Sequence, residues 1–154
     1  MSKLNKKGMT LLEVMVVVLL IAGLASMAYP SFLTSVEKGK AIEAIRIVSN
    51  AVAAQRQYYE ENETYASAFP DLAFDITGKN VSVSGGTATT DNFAYALGES
   101  SVTASHNAGS SYTYTITGNY TDDHLTCNLG TNTSNDKKIC STLGKQDGSG
   151  YRIE

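Results

Sequence analysis

A single carboxylate inside a long apolar run is the feature of this sequence that most directly implies chemistry. Glu13 is the only charged residue between Met9 and Val36. An ionised side chain in a hydrocarbon environment costs a few kcal/mol, so it is normally paired with a cation or placed near water. From the residues alone two interpretations of Glu13 stay open. It is either a functional carboxylate with a cationic partner or an interfacial residue close to Lys6 and Lys7.

The apolar run itself predicts a membrane-spanning helix. About 20 mostly apolar residues cross a hydrocarbon core of about 30 Å, and the uncharged stretch from Val14 to Val36 exceeds that length. The lysines that precede it are Lys3, Lys6 and Lys7, and they favour a cytoplasmic N-terminus with an exported remainder. A cleaved secretory signal is the alternative, but its apolar region usually runs for only about 7–15 residues.

The helix is expected to continue beyond the membrane, from Met9 to about Glu61. Its second half is predicted to be amphipathic and to pack under a head domain, because apolar residues recur there at helical spacing. These residues are Ile42, Ile45, Val48 and Val52. Gly23 and Pro30 mark where the helix is expected to kink or to melt, since proline lacks the N–H that a helix interior uses.

The remainder predicts a small antiparallel β-sheet packed on that helix, which makes the fold class α+β. Alternating or β-branched segments indicate three or four strands. The segments are 81–83, 93–97, 111–117 and 125–127. Polar, turn-rich stretches at 60–72 and 98–110 are predicted to be loops.

Composition argues against a general nucleic-acid binder, and the motifs argue against an enzyme. Twelve Lys and Arg stand against 15 Asp and Glu, so the chain lacks the basic balance of a general nucleic-acid binder. Ser35 and Ser134 each begin an S-x-x-K pattern, but the companion motifs of the penicillin-binding enzymes are missing. We therefore predict no catalytic residues, no cofactor, no metal and no specific nucleic-acid partner.

The segment Lys6–Val18, which reads KKGMTLLEVMVVV, resembles the prepilin signature of the type IV pilin superfamily. The resemblance implies cleavage by prepilin peptidase between Gly8 and Met9, N-methylation of Met9, and a role for Glu13 in assembly. Met9 departs from the family's usual Phe, and Gly23 lies one residue later than the family's Gly.

The resemblance also implies organisation and function. Residues 1–8 would be the leader peptide, 9–36 the transmembrane or filament-core helix, 37–60 its amphipathic continuation and 61–154 the globular head. The chain would be a structural subunit of a type IV pilus, placed in the inner membrane as a precursor and in an extracellular filament once assembled. Its partners would be other subunits, prepilin peptidase, an assembly ATPase and a platform protein. A pseudopilin of a type II secretion system is the alternative.

Cys127 and Cys140 are expected to form a disulfide, because they lie in the exported part of the chain. In the chain-entropy model, closing a loop of this size stabilises a protein by about 3 kcal/mol. The resemblance adds that many type IV pilins close a C-terminal surface loop in this way. A metal site is the alternative, but His106 and His124 are the only histidines available as further ligands.

Overall fold

The structure is a computed structural model that describes residues 9–107 and 110–153. The chain divides into two compact units, with the boundary between Val36 and Glu37. One 52-residue helix, α1 (Leu11–Asn62), belongs to both units. The predicted helix therefore forms nearly as expected, and its bounds differ from the prediction by one or two residues.

In the first unit α1 leaves its apolar side chains exposed. No residue of the most apolar 18-residue window is buried, and the helix is long and apolar enough to cross a membrane by length and composition. Leu19 and Leu24, for example, are 72% and 71% exposed. Large apolar side chains on every face of a helix are typical of a segment that meets lipid or other helices rather than water.

In the second unit α1 packs a stripe of small residues against the sheet. The buried alanines are Ala41, Ala44, Ala51 and Ala54. The predicted stripe was only partly right, since Val48 and Val52 are buried but Ile42 is 60% exposed. The small side chains let the helix approach the sheet closely. A Cβ on Gly118 of the sheet would lie only 2.8 Å from Val52 Cγ2.

Within the part of the chain that the structure describes, the head contains one antiparallel sheet of eight strands in the order β1-β2-β3-β4-β5-β6-β8-β7. The sequence predicted only three or four strands, which is fewer than the structure has, although the fold class is as expected. The strands are β1 (Ser82–Ser84), β2 (Thr87–Thr89), β3 (Phe93–Leu97), β4 (Ser101–His106), β5 (Thr115–Asn119), β6 (Leu125–Asn128), β7 (Lys145–Asp147) and β8 (Gly150–Ile153).

One prediction about the head was wrong, and one helix was not predicted. The segment 98–110 was predicted to be a loop, but it contains β4, in which Val102 and Ala104 are buried. The segment Thr133–Leu143 was not predicted to be regular, but it forms a second helix, α2, which packs on β6 and β8. Both segments are rich in small or polar residues, so their apolar periodicity is weak and burial depends on partners that are distant in sequence.

Candidate functional site

Helix α1 begins with a hydroxyl cap. Thr10 precedes the first helical residue, and its Oγ1 accepts a hydrogen bond from the backbone N–H of Glu13 at 3.3 Å. The spacing Thr-x-x-Glu is that of a capping box, in which a hydroxyl and a later carboxylate satisfy free N–H groups at a helix start. Thr10 therefore caps the start of the helix, which the sequence prediction did not include, and Glu13 takes part through its backbone N–H.

The Glu13 carboxylate remains available to a partner outside the chain. Glu13 is exposed, and among the ion pairs of residues 9–107 and 110–153 none involves it. The helix dipole favours an anion in the first turn by about 0.3–1 kcal/mol. Met9 is 66% exposed, whereas Gly8, the predicted cleavage residue, lies outside the described residues.

Hydroxyl side chains bond to the helix backbone at both predicted weak points. Ser26 Oγ donates to the carbonyl oxygen of Gly23 at 2.8 Å, and Thr34 Oγ1 donates to that of Pro30 at 3.1 Å. Such bonds from Ser and Thr often bend a helix slightly. The chain is helical through both residues, so kinking or melting at Gly23 and Pro30 stays a prediction about the assembled protein.

A buried acid–base cluster lies at the start of the second unit. Glu37 is only 2% exposed, and its carboxylate contacts His106 Nε2 of β4. Lys40 Nζ lies 3.3 Å from the other carboxylate oxygen, and the Tyr114 hydroxyl donates to Glu37 at 3.0 Å. The cluster therefore fastens α1 to the central strands of the sheet.

The electrostatics of this cluster keep Glu37 ionised. Burial alone would raise its pKa, but the hydrogen bond and charge of His106, the Tyr114 hydroxyl and Lys40 together hold the pKa of Glu37 below its ordinary value. Burial, reinforced by the Glu37 charge, raises the pKa of Tyr114, so its phenol stays protonated and donates. Glu37 and His106 are 69 residues apart, and no spacing in the sequence relates them.

The two cysteines close a loop between β6 and α2. A disulfide joins Cys127 to Cys140, with a Cα–Cα distance of 5.6 Å, and both residues are fully buried. The disulfide occupies both thiolates that the metal alternative needs. Of the two histidines, His106 contacts Glu37, and His124 Nδ1 lies 3.0 Å from Arg152 Nη2.

A buried carboxylate holds the same loop from inside. Asp136 is 0% exposed and accepts hydrogen bonds from the Thr113 N–H and hydroxyl, both at 2.8 Å, and from the Gly130 N–H at 3.0 Å. Three donors of this kind compensate the cost of burying a charge. Asp136 was not predicted from the sequence, because it appeared only as a polar residue in a polar stretch.

Comparison with known proteins gives one family match and one relative. The family model described as "Prokaryotic N-terminal methylation motif" matches residues 3–29. The "Type IV wide pilus major component PilA4" of Thermus thermophilus is 29% identical over 99 residues, which cover 62% of this chain and 76% of that protein. No solved structure matches the chain significantly. The family match includes Glu13 and Gly23.

Proposed function

We propose that this chain is a type IV pilin, a structural subunit that polymerises through the first half of α1 into an extracellular pilus. Its N-terminal motif, its fold and its likeness to PilA4 support the proposal. The observation that carries the proposal is the exposed apolar half-helix, whose first turn carries a carboxylate that forms no ion pair among residues 9–107 and 110–153. Such a helix needs a covering, which lipid supplies before assembly and neighbouring helices supply in the filament.

Apolar burial alone is a weak reason for this helix to leave the membrane. Lipid tails are as apolar as leucine, so exchanging lipid for neighbouring helices changes the hydrophobic free energy little. A specific polar interaction has a larger effect on the geometry, because an unpaired charge in a low-dielectric environment is costly. We therefore assign to Glu13 the setting of subunit register rather than the bulk of the filament's stability.

The expected partner of Glu13 is the α-amino group that prepilin peptidase creates at Met9. Contact between Glu13 of one subunit and the Met9 amine of the next is heterologous, and heterologous contacts that do not close produce open helical polymers. Residues 9–36 would form the filament core, 37–60 would support the head and 61–154 would face outward. The assembly ATPase and platform protein would act on the precursor at the cytoplasmic membrane.

The test separates the charge of Glu13 from the size of its side chain and from the Thr10 cap. In cells with a pilus assembly machinery, Glu13→Ala removes the carboxylate, Glu13→Gln removes the charge but keeps a side chain of similar size, and Thr10→Ala removes the cap but keeps the charge. We expect both Glu13 variants to lose surface filaments and Thr10→Ala to retain them. Normal filaments from Glu13→Gln would contradict the ion-pair proposal.

Mass spectrometry of the mature subunit provides an independent check. Processing as proposed removes residues 1–8 and adds one methyl group to Met9. An uncut subunit in cells that contain active prepilin peptidase would contradict the proposal. Surface filaments visible by electron microscopy favour the pilin, whereas a secretion defect in the deletion strain without surface filaments in the wild type would favour the pseudopilin.

A further inference from the structure

A surface groove of about 510 Å³ lies at the C-terminal end of α1. It is enclosed by the last turn of the helix, the segment that follows the helix and the turn between β3 and β4. The residues that line it include two tyrosines, two glutamates and one leucine, namely Tyr59, Tyr65, Glu63, Glu99 and Leu97. The groove therefore combines aromatic and apolar surface with carboxylates.

The aromatic side of the groove is firmly held. The rings of Tyr59 and Tyr65 stack with centroids 4.7 Å apart, and Tyr65 meets Tyr120 at 4.5 Å. The Tyr120 hydroxyl donates to the carbonyl oxygens of Gly98 and Ser101 at 2.8 and 3.1 Å, which fixes the stack to the β3–β4 turn. Burial raises the pKa of Tyr120 to about 12, so its phenol remains a neutral donor.

The electrostatics of the groove favour a cation. Glu60, Glu61 and Glu63 lie at the end of α1, where the helix dipole is also negative, and no basic residue is present in the last turn. Across residues 9–107 and 110–153, no ion pair involves Glu63 or Glu99. A tyrosine ring face attracts ammonium groups in addition, and because Tyr65 lies between two rings, the outer face of Tyr59 is the one left for such a contact.

The outer face of α2 has the opposite character. Lys137 and Lys138 are exposed, Lys145 follows the helix, and within the part of the chain that the structure describes none of the three forms an ion pair. The one acid of α2, Asp136, is turned inward and buried. The helix therefore presents ammonium groups without carboxylates beside them.

These two surfaces do not meet within one subunit. The groove is built at the β3–β4 turn, whereas α2 packs on β6 and β8. In the sheet order β6 and β8 are two and three strands away from β4, and neighbouring strands are about 4.8 Å apart, so about 10 to 14 Å separates them from β4. Two different, complementary patches on one chain suit a heterologous contact between copies.

We propose that the lysines of α2, Lys137 and Lys138, dock into the tyrosine-lined groove of a second copy of this chain and pair there with Glu63 and Glu99. The proposal rests on the proposed function, since it describes a contact between heads in the filament. The aromatic stack would contact the aliphatic part of the lysine side chain, and the two carboxylates would bind its ammonium group. The contact would hold adjacent heads together outside the helical core.

The test is a charge exchange in assembled filaments. Glu63→Lys with Glu99→Lys, or Lys137→Glu with Lys138→Glu, places like charges against each other, and the combination of all four restores opposite charges. We expect each double variant to lower the yield of sheared filaments that sediment at physiological salt by about tenfold, and the fourfold variant to recover most of it. The matched control for the Glu63→Lys and Glu99→Lys pair is Asp71→Lys with Asp147→Lys, which changes net charge equally at exposed sites outside the groove.

A second measurement does not depend on the folding of variants. Carbodiimide treatment of wild-type filaments joins lysines to carboxylates in direct contact, and mass spectrometry of the digest should show Lys137 or Lys138 linked to Glu63 or Glu99 between subunits. Wild-type filaments without these links, or double variants that yield filaments like the control, would overturn the inference and leave the proposed function intact. A wild type that forms no filaments would overturn both.

Discussion

Two buried tyrosines provide a matched test of how α1 is fastened to the sheet. Tyr114 and Tyr95 are 0% and 1% exposed, and both belong to the same core. The Tyr114 hydroxyl donates to Glu37, whereas the Tyr95 hydroxyl is the buried side-chain oxygen without a hydrogen-bond partner among the described residues. Replacing either with Phe removes one oxygen and leaves the ring, so the two variants differ in the hydrogen bond and not in packing.

The expected changes have different signs. A hydrogen bond to a charged group contributes about 1.5–3 kcal/mol, so Tyr114→Phe should lower the free energy of unfolding by about 2 kcal/mol. His106 and Lys40 still contact Glu37 in that variant, which keeps the loss below the cost of an isolated buried charge. Tyr95→Phe removes a buried, unbonded hydroxyl and should leave the stability unchanged or raise it by up to about 1 kcal/mol.

The measurement is urea unfolding of the head, with the full chain held in detergent micelles and circular dichroism as the signal. It should be repeated over a range of pH. Because the pKa of Glu37 is lowered in the folded protein, the Glu37 contribution is complete above its unfolded pKa of about 4.3 and is lost as the pH falls through the folded value. The gap between the two variants should therefore narrow below about pH 4. Equal losses in both variants at pH 7, or a gap that does not depend on pH, would refute the reasoning.

Further substitutions test the packing and the loop clamp. Gly118→Ala should destabilise the head by about 1–3 kcal/mol in the same urea assay, since its Cβ would lie 2.7–2.8 Å from side-chain atoms of β6 and α1. Asp136→Ala should lower the free energy of unfolding by about 3 kcal/mol, because three hydrogen-bond donors lose their acceptor. Hydrogen exchange at the Gly130 amide should become faster in this variant. An unchanged exchange rate would contradict the role of Asp136 in holding the loop. Replacing both Cys127 and Cys140 with Ser should lower the free energy of unfolding by about 3 kcal/mol. The check is that the wild type with its disulfide reduced should lose as much stability in urea as this variant does.

The long helix could be predicted from the sequence because its signal is local. The uncharged run and the apolar periodicity each extend over many residues, and they predict a helix despite the helix breakers Gly23 and Pro30. The side that packs on the sheet was predicted less well. Ile42 was included in the predicted stripe but is exposed, because the buried face includes Ala44 and Val48 and Ile42 lies about a third of a turn away from Val48.

The parts of the head that were missed depend on distant partners. β4 is built mainly of small and hydroxyl residues, and it becomes a strand because β3 and β5 pair with it on both sides. Helix α2 is polar except for the side that carries Ile139 and Cys140. No pattern in the sequence marks Glu37 as a buried residue, and only the fold brings His106 and Tyr114 to it.

In the proposed function the chain serves in two environments, and the two halves of α1 satisfy the different physical requirements of this role. The first half exposes large apolar side chains and has Glu13 as its only charged residue, so its covering must come from outside the chain. The second half is covered within its own unit and is fixed there by the Glu37 cluster. A head that is folded independently of what covers the first half can remain unchanged while lipid is exchanged for neighbouring helices. The specificity of that exchange then depends on polar groups, because apolar contact does not distinguish lipid from protein.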